Sequence, residues 1–124
     1  MGSGEEVKLA IPTSLEFVRI VRLTASGLAS RLGFDVEEID NLRIAVDELA
    51  GAVVDASSSG KLEVTFRDGD GELRIEGHAP VAPGRGLGID DLTAQILNSV
   101  CDKYELRVDG DSARFSCVVR LPAL

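Results

Sequence analysis

A chain of 124 residues has room for one ordinary domain and not for two that each bury a core, so residues 1-124 are expected to form a single domain. Hydrophobic residues at 44% against 27% charged give enough apolar side chain to pack, which excludes a disordered tail. The formal net charge of -8 argues against a nucleic-acid partner, because affinity for phosphate backbones depends on Lys and Arg displacing counterions. It leaves open a basic protein partner or plain solubility.

No apolar run approaches the ~20 residues of a membrane span, and the start Met1 to Glu6 has no basic or apolar leader, so a cytoplasmic protein is expected. Met1 to Gly4 carries no weight in this reading. Cys101 and Cys117 lie among apolar neighbours without metal-knuckle spacing and read as buried thiols. No metal ligand set is evident.

Val7, Leu9 and Ile11 alternate with Lys8 and Ala10 as a short strand that Pro12 closes. Thr13 and Glu16 have the spacing of a capping box, and Val18, Val21, Ala25, Leu28 and Leu32 then recur at helical spacing up to a stop at Gly33. Asp35 and Glu38 repeat the capping pattern ahead of a helix of about twenty residues, whose stripe is Ile39, Leu42, Val46, Leu49 and Val53. A second side of that helix carries Asn41, Ala45, Glu48, Ala52 and Asp55.

After the loop Ser57 to Gly60, Leu62, Val64 and Phe66 alternate with polar residues. Asp68-Gly69-Asp70-Gly71 turns the chain, and Leu73 and Ile75 return it as a hairpin. Gly77 to Gly88, aperiodic and with two prolines, is predicted to be a loop feeding a helix and a natural place for a site. Ile89, Leu92, Ile96 and Val100 form the stripe of that third helix, with Asp90 and Asp91 near its N-terminus. Tyr104, Leu106 and Val108, a turn at Asp109-Gly110-Asp111, and Phe115, Cys117, Val119 and Leu121 make a second hairpin. The order β-α-α-β-β-α-β-β predicts an α+β, two-layer sandwich: a mixed, mostly antiparallel sheet covered by helices on one face.

This order, with Asp47-Glu48-Leu49 on the second helix and Gly86-Leu87-Gly88-Ile89 opening the third, resembles the histidine-kinase-like (GHKL) ATPase fold. Within it, Ile39 to Leu49 and Ala94 to Leu106 resemble the bacterial anti-sigma factors of the serine-kinase type, and the likeness spans nearly the whole chain. The resemblance implies a regulator of transcription in stress responses, whose partners are a sigma factor and an anti-sigma-factor antagonist, and homodimerisation.

In that family the helix carries Glu-x-x-x-Asn, the Glu as base toward a substrate serine and the Asn on Mg²⁺. Here Glu48 matches the Glu, and the Asn position falls at Ala52, a methyl with no lone pair for a hard cation; Asp55 lies nearly a turn further on. The family's Asp-x-Gly-x-Gly, whose carboxylate receives the adenine amino group, is replaced by Gly77-His78-Ala79-Pro80-Val81. The segment from there to Gly86 is short for an ATP lid.

Arg85, Gly86 and Gly88 are what the resemblance leaves for binding phosphate, with a tight structural turn as the competing reading. Glu48 reads as either a base or a solvated relic, Arg85 as an anion ligand or a plain surface residue, and His78 as incidental. The expectation is therefore a sequestering protein that needs no cofactor. The alternative is an active ATP-dependent protein serine kinase using ATP and Mg²⁺ to phosphorylate an antagonist.

Overall fold

The computed structural model describes residues 5–122, so the unweighted start Met1 to Gly4 lies outside the described residues. Eight elements follow in the predicted order: β1 (Glu6–Pro12), α1 (Leu15–Arg31), α2 (Val36–Ala56), β2 (Lys61–Gly69), β3 (Glu72–Pro80), α3 (Asp91–Val100), β4 (Lys103–Asp109) and β5 (Ser112–Arg120). The five strands form a sheet in the order β1-β2-β3-β5-β4.

Every pair in that sheet is antiparallel, where the sequence had suggested a mixed one. The crossover through α3 does deliver β4 parallel to β3. However, β5 folds back into the gap between them, so the two parallel strands never pair.

Two tight turns set the hairpin registers. Between β2 and β3, Asp70 (φ 54) and Gly71 (φ 76) are both left-handed, the conformation of a type I′ turn whose twist matches that of the flanking strands. Between β4 and β5, Gly110 holds φ 65 at the first turn position.

Strand alternation then sorts the faces. Leu62, Val64 and Phe66 of β2, Leu73 and Ile75 of β3, and Ala113, Phe115 and Cys117 of β5 point into one core with α1 and α2. From the helices, Val18, Val21 and Ala25 meet Leu42, Val46, Leu49 and Val53, as the two stripes predict.

Three local readings change. The box at Thr13 and Glu16 does not form: α1 starts one residue later, with Ser14 at its N-cap and no side-chain cap, because the Thr13 hydroxyl donates to Gly60 O at 3.3 Å. The box at Asp35 and Glu38 does form, with both reciprocal bonds at 2.8 Å.

The predicted loop at Gly77 to Pro80 is strand. Leu73, Ile75, Gly77 and Ala79 are all buried in alternation, and β3 stays paired with β5 as far as Pro80, the last residue of β3, opposite Ser112. The small side chains of Gly77 and Ala79 hid the period.

In α3 the fully buried residue is Leu97, while Leu92 of the predicted stripe is 65% exposed. The helix starts at Asp91 rather than beside Gly88. Its N-cap is Asp90, whose carboxylate accepts the Thr93 N–H at 2.7 Å.

The backbone N–H of Thr93, helped by its side chain, holds the Asp90 carboxyl below its ordinary value of 3.8. A depressed folded-state pKa stabilises above the unfolded value and is lost as pH falls through the folded one. The hydrogen-exchange protection factors in the first turn of α3 are therefore expected to fall below about pH 3.8, and Asp90→Asn should flatten that dependence.

Candidate functional site

The capping box that starts α2, and the buried run Leu42, Val46, Leu49 and Val53 that seats it on the sheet, fix which side of the helix is left over. On that side Ala45 is buried, Asn41, Glu48 and Ala52 are half-buried, and Asp55 is exposed. Asp47 points elsewhere: it accepts Arg22 Nη1 of α1 at 2.9 Å and ties the two helices together.

At the end of α2 the chain from β3 is stitched against the helix. Ser58 N donates to Pro80 O at 3.2 Å, Ala82 N to Ala56 O at 2.9 Å, and Ser57 bridges Val81. This brings together Ala52, Asp55 and Ala56 with Arg85, Gly86 and Gly88 around a cleft of about 170 Å³. Sites for small ligands usually occupy ~300–1,000 Å³.

Arg85 does not stand free in this cleft. Its Nη1 donates to the Asp55 carbonyl at 2.5 Å. The last turn of α2 contains no basic residue, so the guanidinium supplies the cation that the helix C-terminus favours and caps one of its unpaired carbonyls. The sequence signal for this role was available: a long helix without a Lys or Arg in its last turn.

Of the four sequence-predicted positions, three lie together and one stands apart. Arg85, Gly86 and Gly88 do come together with Ala52, but the glycines precede the helix cap and do not open α3. One first-turn N–H of α3, that of Thr93, is taken by the Asp90 carboxylate, and the charges of Asp90 and Asp91 oppose an anion there. Glu48 sits one turn before Ala52, makes no hydrogen bond or ion pair among the described residues, and is not part of the cleft wall.

Magnesium and adenine can be tested separately against this geometry. A Mg²⁺ ion needs near-octahedral oxygen donors, and Asp55 offers the only oxygen-bearing side chain in the cleft wall, beside a guanidinium and two methyl groups. Among the described residues no group of three or more His, Cys, Asp and Glu could hold a metal.

At the adenine-side position Gly77 faces inward beneath Phe115. A Cβ there would lie 2.2 Å from Phe115 Cε2, which leaves no space for a carboxylate. His78 faces the opposite side of the sheet, 3.8 Å from Glu63. The residues present do not fit Mg-ATP in the manner the resemblance implies.

The open face of the sheet was not singled out from the sequence. It gathers eight of the thirteen basic residues, among them the cross-strand pairs Arg67 with Arg74 and Arg107 with Arg114, against six of the 21 acids. The helices and loops, with the buried Asp68 of β2, keep the rest of the acids.

No family profile matches the chain. Among curated proteins it is similar to the serine-protein kinase RsbW of Halalkalibacterium halodurans, 29% identical over 85% of this chain and 77% of the relative. It is also similar to the proteins of that name from Bacillus subtilis, 41% identical over 60% of this chain and 48% of the relative, and Bacillus pumilus, 43% identical over 56% and 40%. The chain thus spans about three quarters of one such relative and less than half of the other two. Among solved structures, the RsbU and RsbW domains of a Mycobacterium tuberculosis protein superpose with TM-score 0.75 at 16% identity, covering 96% of this chain and 34% of the other.

The antiparallel sheet and the placing of its helices define a domain of the histidine-kinase-like ATPase fold. Within that class the chain is similar in sequence to the serine-protein kinases named RsbW.

Proposed function

We propose that the chain is an anti-sigma-factor-like regulator that sequesters a sigma factor, or answers to an anti-sigma-factor antagonist, by protein binding, without holding Mg-ATP. The carrying observation is the cleft at the end of α2: Ala52 and Ala56 form its wall and the Arg85 guanidinium is committed to the Asp55 carbonyl. Kinship with the RsbW proteins supports the kind of partner. So does the outer side of α1, where Leu15 and Leu23 are 61% and 57% exposed with the exposed Arg19 between them, a mixed apolar and basic surface that a protein partner can cover. No helix among the described residues is long and apolar enough to cross a membrane.

Calorimetric titration with Mg-ATP is expected to give no saturable heat at micromolar concentrations, while a cognate sigma factor co-elutes with the chain in nucleotide-free buffer. Micromolar Mg-ATP binding that Glu48→Ala abolishes would overturn this reading. Kinship with proteins named as kinases, together with the unengaged Glu48 carboxylate, favours a second reading, a serine kinase that phosphorylates the antagonist. It requires phosphate transfer from Mg-ATP to a serine of the antagonist, lost in Glu48→Gln.

A further inference from the structure

We propose that Cys101 and Cys117 are a redox-responsive pair, which hydrogen peroxide or an organic hydroperoxide joins in a disulfide that fastens α3 to β5. Cys101 is the C-cap of α3 and Cys117 lies in mid-β5, and their sulfurs are 3.4 Å apart. A disulfide at about 2.05 Å needs only a small further approach.

The backbone around them is already clamped. Cys101 N donates to Leu97 O at 2.9 Å, Asp102 N to Val118 O at 3.0 Å, and Arg120 N to Asp102 Oδ2 at 2.7 Å. The α3–β4 junction is thereby pinned on β5 at the two cysteines.

The two residues differ in access. Cys117 is fully enclosed, while Cys101 is 9% exposed and forms part of the floor of an open cleft of about 420 Å³ with Asn98, Lys103 and Tyr104, wide enough for a peroxide. The neighbouring Cys117 thiol, as hydrogen-bond partner, also draws the Cys101 thiol below its ordinary pKa, against the opposing effects of burial and Asp102. These are the attributes of an attacking thiolate beside a resolving thiol.

In the first step the Cys101 thiolate attacks one peroxide oxygen. The O–O bond breaks, an S–O bond forms, and hydroxide (or alkoxide) leaves. In the second, Cys117 gives up its proton and its sulfur attacks the Cys101 sulfur; the S–O bond breaks, water leaves, and the S–S bond forms. The two electrons lost by the thiols reduce the peroxide.

Titrating the full chain with hydrogen peroxide tests this. The expected product is a monomer lighter by two hydrogen atoms, with a Cys101–Cys117 peptide after proteolysis. It should have no thiol for iodoacetamide under denaturing conditions, a Tm raised by about 10 °C from closing the loop, and full reversal by dithiothreitol. In Cys117→Ala, peroxide should leave a Cys101 sulfenate that dimedone traps, with no rise in Tm. Two free thiols after stoichiometric peroxide, or a bond that joins two chains instead, would overturn the proposal. The wild-type peptide map decides the matter by itself if the alanine variant fails to fold.

Discussion

Replacing Gly77 with alanine is expected to lower the unfolding free energy by about 3 kcal/mol, measured by urea denaturation with an unchanged m-value. The new methyl would stand 2.2 Å from Phe115 Cε2 and 2.8 Å from Cζ, and that ring is only 3% exposed, so it has no free direction in which to yield. The ring also lies directly across the strand pair from Gly77, so relief requires β3 and β5 to part or the core to repack. Trimming the ring with Phe115→Ala in the Gly77→Ala background should return part of the loss, a coupling that two independent sites would not show. A cost below 0.5 kcal/mol for Gly77→Ala would mean that the ring is not seated there. The same contact bears on function: Gly77→Asp, which would restore the acid of the adenine motif, adds a buried charge to the clash and should unfold the chain before it recruits a nucleotide.

Leu49→Ala is expected to cost about 3–4 kcal/mol, since its side chain is fully enclosed in the middle of α2 between Val46 and Val53 and above the sheet. One position away, Glu48→Ala should change stability by less than about 0.5 kcal/mol, because its half-buried carboxylate has no partner to lose among the described residues. The contrast between adjacent residues reads out the orientation of α2 on the sheet. Equal effects would mean that the helix is rotated from the position described.

Periodicity alone determined the order of elements, the α2 stripe and the inward faces of β2 and β5, because each rests on local alternation that a single stretch of sequence contains. The absence of an oxygen ligand at Ala52 was equally legible, being a matter of residue identity at one position. Tertiary structure alone decided that Gly77 to Pro80 is strand, since the signal for it is a ring on a strand some forty residues later and not any side chain of its own. It decided that Arg85 caps α2, that the glycines before α3 do not open that helix, and that the basic residues collect on one sheet face. It also brought Cys101 and Cys117 into contact across 16 residues of sequence. Each of these depends on which distant segments become neighbours, and that is set by packing the whole core at once, which no local pattern encodes.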